Sequence, residues 1–440
     1  MSGSSNRTKL LLLAIDGLSF PLLQKWAEQG DLPTLKKLME EGCYGLLKPF
    51  TPSNSAVIWT SVMTGMSPEK HGIDSFIYYK LGERFVKKTA VKKAMKLGIR
   101  PLFRWLKKRK YIKDVPFSLG MVQQKMLWEI FAQENKSVGV INWWYSWPAY
   151  EVPGFIISDR VHYWRMSERG KHAGIPDSHL VYPDRLLDEA MKRVVDPFSL
   201  PVDVYKRFMK LDEKEIEGMR NCHYKRHQLM SEFKYLYSMD ESVRKLALFC
   251  LEEFPRPDFL ALYLRGIDII SHCALKYAPF NRDKEIADKE VEQYGDTVRY
   301  YYRYIDKVIS ELIKAVSDDT TVILVSDHGF EKEPDGRFGH RKTRPSGLCV
   351  VCGPHIKKGL RFENGSLYDI TPTLLYLSGL PVSKEMEGEV FTKCVEERFI
   401  QSNPVRFIES YGPPVRHKEP SSSGSDEEIK ERLRALGYID

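Results

Sequence analysis

Three aspartates each follow a run of apolar residues that has the length of a strand. Asp16 ends the segment LLLLAID, Asp268 ends DFLALYLRGID, and Asp327 ends TVILVSD. In an open α/β sheet, ligands and catalytic groups gather beyond the carboxyl ends of the strands. Three carboxylates at one place would repel one another, whereas divalent cations would stabilise them together. The alternative is that each Asp only caps the helix that follows it, and this explanation must then hold at all three strand ends.

Three histidines accompany these carboxylates. Asp268 and His272 are four residues apart, so both side chains would project from one face of a helix. His328 directly follows Asp327, and His340 lies in the glycine-punctuated loop GFEKEPDGRFGHR. Imidazole and carboxylate groups are the ligands that zinc and similar ions take in proteins. The sequence therefore predicts a centre for divalent cations.

A segment rich in small polar residues could supply a nucleophile. Residues 50–73, FTPSNSAVIWTSVMTGMSPEKHGI, join a polar turn to a helical pattern. A hydroxyl at the start of a helix lies among free backbone N–H groups, which favour bound anions such as a phosphoryl group. Thr51, Ser53 and Ser55 all satisfy this condition, and each could instead be an N-cap residue. The spacing alone does not separate them.

The apolar runs alternate with helical patterns along most of the chain. This alternation predicts an α/β fold whose mainly parallel sheet is covered on both faces. We assign residues 1–78 and 241–400 to the core, and residues 79–240 to a cap insertion that includes one or more core strands, one of them at 137–144. Residues 401–440 are expected to form a linker and a C-terminal helix.

The positive charge of the chain is concentrated in one segment. Residues 84–113 contain 13 Lys or Arg and no Asp or Glu, and subtracting them from the formal net charge of +8 leaves −5 for the rest. Apolar residues are interleaved with these charges, which favours an anionic membrane surface or a lid over an anionic substrate. A solvated helix face is the simpler alternative. Nucleic acid is a weaker candidate because no known reader motif accompanies the charge.

Cysteine usage and the N-terminal segment bear on the compartment. The seven cysteines form an odd, scattered set, which is typical of reduced thiols. The apolar run at residues 10–15 is short and ends at Asp16, unlike a secretory signal. No apolar run approaches the ~20 residues of a membrane span. We therefore expect a cytoplasmic protein, with the basic segment as the region that would attach it peripherally to a membrane.

Several motifs occur together in a characteristic order. They are AIDG, LPTLKKLMEEG, SAVIWTSVMTGMSPEKHGI, ID followed by His272, VSDHGF, His340, and SLYDITPTLLYLSGLP. In this order and at these separations the chain resembles the alkaline phosphatase superfamily, and within it the type I phosphodiesterase and nucleotide pyrophosphatase family. The resemblance covers most of the chain outside residues 79–130. It implies an alkaline-phosphatase-like three-layer α/β/α sandwich with a mostly parallel central sheet and a large cap insertion.

The resemblance also implies a role for each candidate residue. The family's nucleophile lies nine residues before the Thr of TG, which makes Ser55 the nucleophile when counted back from Thr64. Two divalent ions are implied, with zinc expected and manganese as the alternative. One ion would be bound by Asp16, Asp327, His328 and the Ser55 oxygen, and the other by Asp268, His272 and His340.

One position departs from the family pattern. Nucleotide pyrophosphatases carry an Asn three residues after the nucleophile, where it steadies the phosphoryl oxygens, and here that residue is Ile58. The departure weakens the expectation of nucleotide pyrophosphatase activity more than that of ester hydrolysis. A sulfatase is disfavoured because TPSNSAV lacks the C/S-x-P-x-R motif.

The resemblance therefore implies a phosphodiesterase or nucleotide pyrophosphatase that acts through a phosphoseryl intermediate. Its substrate would be a small phosphate ester, either a nucleotide or another diester. Alternatives on the same site are a phosphomonoesterase, a phosphomutase or a phosphotransferase. A further alternative is a protein that binds lipid surfaces and is built on an inactive fold.

Overall fold

A central sheet organises the described part of the chain. The computed structural model describes residues 9–415 except 52–53, 83, 110, 117, 165–178, 223–224, 226–227, 335 and 341–344. The strands of these residues are β1 (Lys9–Ile15), β2 (Cys43–Leu47), β3 (Ile77–Leu81), β4 (Arg84–Val86), β5 (Ile112–Pro116), β6 (Val138–Ile141), β7 (Gly154–Ile157), β8 (Val181–Tyr182), β9 (Phe259–Leu264), β10 (Thr320–Ser326), β11 (Glu331–Lys332), β12 (Phe338–Gly339), β13 (Gly347–Cys352), β14 (Leu360–Gly365), β15 (Val382–Ser383) and β16 (Phe407–Ile408).

The helices vary widely in length. Those of the described residues are α1 (Phe20–Glu28), α2 (Pro33–Glu41), α3 (Ser55–Thr64), α4 (Pro68–His71), α5 (Lys88–Ala94), α6 (Arg100–Lys108), α7 (Leu127–Gln133), α8 (Leu187–Arg193), α9 (Val202–Phe208), α10 (Glu213–Asn221), α11 (Leu229–Glu253), α12 (Gly266–Ala274), α13 (Asp288–Tyr294), α14 (Thr297–Ala315), α15 (Ile370–Leu377) and α16 (Glu397–Ser402). A kinked turn (Met95–Ile99), in which Gly98 has a φ of +94°, joins α5 to α6.

The main sheet contains nine of the described strands, in the order β14-β2-β13-β10-β1-β9-β6-β7-β8. The five neighbouring strands from β10 to β7 are all parallel, whereas β13 and β8 are antiparallel to their neighbours. The predicted mainly parallel sheet is therefore confirmed. Because the five parallel strands share one direction, the residues that follow β1, β9 and β10 lie at the same edge of the sheet.

Helices cover both faces of this sheet. Successive residues of β1 point to opposite sides: Leu11 and Leu13 join one apolar core, and Leu10 and Leu12 join the other. The first core also receives side chains from α1, α2, α11, α12 and α14, and the second from α3, α7 and α15. A strand that is apolar on both faces is thus buried between two helical layers. This is the predicted α/β/α arrangement.

The inserted region is only partly separate from the core. β6, β7 and β8 all lie within residues 79–240 and all belong to the main sheet. β6 is shorter than the strand predicted at 137–144, and the predicted division at residue 240 falls inside α11. The C-terminal helix predicted within residues 401–440 lies outside the described residues.

The described residues between 77 and 116 form a small unit that we call the basic module. Its strands pair in the order β4-β3-β5, apart from the main sheet, and α5 and α6 pack against them. The buried residues of its own core are Val91, Phe103 and Ile112. The basic segment 84–113 therefore lies in a folded unit with a very small core.

One buried carboxylate joins α14 to the start of α2. α2 has no side-chain cap of its own. Instead Asp306 of α14 accepts hydrogen bonds from the backbone N–H groups of Leu35, at 2.8 Å, and Thr34, at 3.2 Å. A helix start leaves its first backbone N–H groups without an intrahelical partner, and these are two of them. The N-terminal cap of α2 is therefore supplied by α14, and it forms only when the two helices are packed together.

We expect Asp306→Ala to lower the free energy of unfolding by about 1–2 kcal/mol, because it leaves both N–H groups of α2 without an acceptor. Asp306→Asn keeps one acceptor oxygen and should lose less. The midpoint of urea unfolding measures both effects. Equal midpoints for wild type and Asp306→Ala would show that the cap does not contribute to stability.

Candidate metal centre

The ends of three neighbouring strands bring the predicted carboxylates together. Asp16 directly follows β1 and Asp327 directly follows β10, while Asp268 is the third residue of α12, which begins just after β9. β1 lies between β9 and β10, so the three residues occupy adjacent positions at one edge. All three side chains are buried.

His328 lies among these carboxylates. Its Nε2 atom is 3.5 Å from Oδ1 of Asp16, 3.7 Å from Oδ2 of Asp327 and 3.8 Å from Oδ1 of Asp268. These distances are longer than hydrogen bonds but short enough for all four groups to contact one common ion. The donor atoms of Asp16, Asp327 and His328 lie within 4.8 Å of one another.

A second group of ligand atoms adjoins the first. Asp268 and His272 lie on α12 with Oδ1 and Nε2 3.5 Å apart, and His340 follows the β11-β12 hairpin. The Nε2 atoms of His340 and His272 are 2.7 Å apart. Asp268, His328 and His340 form a second set of donor atoms within 4.8 Å. The structure therefore brings all six predicted carboxylate and imidazole residues into one cluster, in which His328 belongs to both sets.

Unsatisfied oxygens test whether this cluster suits cations. Among the described residues, no hydrogen-bond donor reaches Oδ1 of Asp16, Oδ1 of Asp268 or Oδ2 of Asp327. These are the same oxygens that face His328. A buried acceptor without a partner is costly, and most such atoms in folded proteins are satisfied. The donor set therefore fits divalent cations.

The electrostatics of the cluster agree with this fit. Burial, followed by the charge of Asp268, raises the pKa of Asp16, and burial with the charge of Asp16 raises the pKa of Asp327 well above its usual value. Burial would lower the pKa of His328, but the surrounding carboxylates outweigh it and raise that pKa to about 9. Burial and the neighbouring His328 lower the pKa of His340 to about 4. Without an ion, His328 therefore carries the positive charge that offsets the carboxylates, and His340 is neutral.

Two groups that the sequence did not predict hold the second carboxylate oxygens of Asp16 and Asp327. The Tyr263 hydroxyl donates to Oδ2 of Asp16, and the Gly17 backbone N–H donates to Oδ1 of Asp327 at 3.3 Å. Tyr263 is the one polar side chain in the otherwise apolar, buried strand FLALYL, and that composition was the available signal. Each of these contacts turns a carboxylate so that its other oxygen faces the cluster.

Ser55 is the first residue of α3, but the helix is capped by Asn54. The Asn54 side-chain oxygen accepts from Ala56 N–H at 3.1 Å, and the backbone carbonyl of Asn54 accepts from the N–H groups of Val57 and Ile58. The capping role considered for Ser55 is therefore wrong. The expectation that free N–H groups at this helix start would bind a phosphoryl group is also weakened, because three of them are engaged. Of the other nucleophile candidates, Ser53 lies outside the described residues.

Aromatic contacts place α3 beside the cluster. The ring of Trp59, one turn after Ser55, lies 5.4 Å from the ring of Tyr263, whose hydroxyl donates to Asp16. Ile58 is buried in the apolar core, so it offers no polar contact to a substrate. The roles of Ser55 as nucleophile and metal ligand stay predictions.

A buried hydroxyl and imidazole pair that joins α3 to α4 is structural. Ser61 Oγ lies 2.9 Å from His71 Nε2, and His71 Nδ1 accepts from Ile73 N–H at 3.1 Å. Since Nδ1 accepts, Nε2 carries the proton and donates it to Ser61. Burial lowers the pKa of His71 to about 3. His71 thus has no lone pair directed at Ser61 and cannot act as its base.

Gly17→Ala should weaken metal binding about 10- to 100-fold, because residue 17 supports two ligands. A Cβ atom there would lie 2.7 Å from Cα and Cβ of Asp268, at a φ of +70°. Gly30→Ala is a matched control, since its φ is +82° and nothing lies within 4 Å of the added atom. Competition with a chromogenic zinc chelator measures both affinities. Equal losses in the two variants, or no loss in Gly17→Ala, would contradict the role of this contact.

Comparison with known proteins gives a family match over most of the chain. Residues 10–347 match the model of the family described as type I phosphodiesterase / nucleotide pyrophosphatase. Curated relatives match shorter segments. A 2,3-bisphosphoglycerate-independent phosphoglycerate mutase 1 of Methanosarcina acetivorans is 27% identical over 188 residues, covering 40% of this chain and 31% of the relative. A phosphoglycerate mutase of the same kind from Cereibacter sphaeroides is 33% identical over 90 residues, covering 19% of this chain and 17% of the relative.

Solved structures extend the similarity to the whole fold. A putative sulfatase from Bacteroides thetaiotaomicron superposes with a TM-score of 0.50 at 12% identity, covering 94% of this chain and 79% of that chain. At this identity the superposition concerns the fold alone. The family match spans the three strand ends, both groups of ligand atoms and α3, so the chain belongs to the type I phosphodiesterase / nucleotide pyrophosphatase family of the alkaline phosphatase superfamily.

Proposed function

We propose that this protein is a metal-dependent phosphodiesterase that cleaves small phosphate diesters through a phosphoseryl intermediate on Ser55. The observation that carries the proposal is the set of buried carboxylate oxygens without donors, which face three imidazoles at one edge of the sheet. Family membership supports phosphoryl chemistry at this edge. The chain spans less than a third of the length of the first curated relatives, so the substrate is proposed from the site.

Two divalent cations are part of the proposal, zinc first and manganese as the alternative. Asp16, Asp327 and His328 would hold one, and Asp268, His272 and His340 the other. When bound, the cations would stabilise negative charge on the phosphoryl oxygens and make a nearby hydroxyl more acidic. The two overlapping sets of donor atoms support a pair of adjacent sites.

The chemical step itself would use Ser55. Its oxygen attacks phosphorus, a serine O–P bond forms, and the bond to the leaving oxygen breaks, so that the first alcohol departs. Water then attacks the phosphoserine, which releases a phosphate monoester and restores the hydroxyl. Asn54 supports this role, since it caps α3 and leaves the Ser55 hydroxyl without a capping function. Ile58 gives no polar contact, so the phosphoryl oxygens depend on the cations and other donors.

A phosphomutase is the second candidate. The curated relatives named above are phosphoglycerate mutases, and a mutase would return the phosphoryl group from serine to a hydroxyl of the substrate instead of to water. Product analysis separates the two, because only hydrolysis takes up solvent oxygen. An inactive scaffold is disfavoured, since all six predicted ligand side chains are present and converge.

Ser55→Ala should lower turnover of bis(p-nitrophenyl) phosphate at least about a thousandfold, because it removes the attacking oxygen. Its metal content should stay near that of wild type, whereas Asp268→Ala should lose metal. Ser67→Ala is a matched control, since Ser67 starts the nearby helix α4 without a side-chain cap. Steady-state kinetics and elemental analysis measure these effects. Near-normal turnover of Ser55→Ala would exclude Ser55 as the nucleophile.

Zinc binding to the metal-free protein should release protons at pH 7. His328 has a pKa of about 9 and must lose its proton to bind an ion. The affinity should therefore fall as the pH is lowered below 9, and the release from His328 should vanish above it. Calorimetry in two buffers with different ionisation enthalpies counts the protons. Zinc binding without proton release at pH 7 would contradict the charged state of His328.

A further inference from the structure

The basic module exposes apolar side chains to an unusual degree for its size. Of the nine large hydrophobic residues that are exposed in the described part of the chain, five lie between residues 81 and 111. Leu102 is 56% exposed, Trp105 51% and Tyr111 59%. Contiguous exposed apolar surface in a folded protein usually marks an interaction site.

The exposed side chains adjoin an apolar groove of about 330 Å³. β3, β4, α5, α6 and β5 all contribute to it, with Leu81, Val86, Ala90, Leu102 and Leu106 among the lining residues. No charged residue lines the groove among the described residues. The module therefore leaves unfilled space between its sheet and its helices.

α6 separates this apolar surface from a basic one. Arg100, Arg104 and Lys108 recur every four residues and so share one side of the helix, while Leu102 and Leu106 share the side that faces the groove. The cationic side chains of α6 therefore lie beside its exposed apolar side chains, so that one flat surface could contact both.

Aromatic residues lie where the two surfaces meet. The rings of Trp105 and Tyr111 stack with centroids 6.1 Å apart, and the Arg109 guanidinium lies 5.8 Å from the Trp105 centroid. Trp and Tyr with basic neighbours are characteristic of the boundary between lipid headgroups and acyl chains, where one end of the ring is wet and the other is apolar.

We propose that the basic module docks the protein onto an anionic phospholipid bilayer. The lysines and arginines of α6 would contact headgroup phosphates, and Leu102, Trp105 and the groove would receive acyl chains. Charge complementarity favours this occupant, because residues 84–113 carry 13 positive and no negative side chains in a chain that is otherwise net negative.

Attachment of this kind is peripheral. Among the described residues no helix has both the length and the apolar character needed to cross a bilayer. The module supplies the two signals, hydrocarbon and positive charge, that together hold a protein at a membrane surface. Neither signal depends on the metal centre, so the docking goes beyond the proposed function and can fail independently of it.

Flotation of the full-length protein with vesicles tests the docking. We expect binding to phosphatidylcholine vesicles that contain phosphatidylserine, weak binding to phosphatidylcholine alone, and loss of binding as salt is raised. Arg104→Gln with Lys108→Gln should lower the partition coefficient more than tenfold, since each neutralised residue removes about fivefold. Leu102→Glu with Trp105→Glu should abolish binding, because it places negative charge where acyl chains would lie.

Matched controls separate this surface from general charge and hydrophobicity. Phe407→Glu removes a side chain that is 60% exposed outside the module, and Lys36→Gln with Lys37→Gln removes two lysines of α2. Both controls should bind vesicles like wild type, and all variants should keep the wild-type thermal midpoint.

Three results would overturn the docking. The first is equal binding to vesicles with and without phosphatidylserine, and the second is binding by the two α6 variants at the wild-type level. The third is a wild-type protein that does not bind vesicles but sediments faster, without lipid, than the variant Leu102→Glu with Trp105→Glu. That result would mean that a second copy of the chain occupies this surface.

Discussion

Repulsion among three buried carboxylates is the constraint around which the edge of the sheet is arranged. Asp16, Asp268 and Asp327 are buried side by side, and besides burial the charge of Asp268 raises the pKa of Asp16 while the charges of Asp16 and Asp268 raise the pKa of Asp327. The fold keeps the three residues together despite this repulsion, because β1 is paired by backbone hydrogen bonds with β9 on one side and with β10 on the other. In the metal-free protein, the positive charge of a protonated His328 offsets part of this repulsion. A cation would do so more completely, since it also satisfies the oxygens that lack donors.

The carboxylate and imidazole residues of the cluster could be predicted because their signals are local. An Asp at the end of an apolar run, or a His four residues along a helix, is visible in the sequence itself. The supporting contacts were not visible. The hydrogen bond from Tyr263 to Asp16 depends on which strands are neighbours, and the cap of α3 by Asn54 depends on the residue at which that helix begins. Composition alone also could not show which of Thr51, Ser53 and Ser55 is the nucleophile.

The layered fold was predictable for the same reason, but its division was not. Apolar runs of strand length indicated a buried parallel sheet, whereas the assignment of 79–240 to a cap with one or more core strands located one strand, at 137–144, and not the other segments that return to that sheet. β6, β7 and β8 all do so, and α11 crosses residue 240 without interruption. Such returns are set by packing between distant segments, which leaves little trace in local patterns. The basic module, with its own strands and its own charge, is the part that stays apart.

The position of β1 has a consequence for how the protein is made. β1 pairs on one side with β9 and on the other with β10, and Lys9 is opposite Thr320. On the ribosome, one edge of β1 therefore stays open until β9 is made, and the other until β10 is made roughly 300 residues after β1. The second wait takes roughly 15–60 s at typical rates of synthesis. During that time a leucine-rich strand is exposed to other nascent chains, and long-range pairing of this kind is slow. Chaperone protection should therefore matter more for this protein than its stability after folding would suggest.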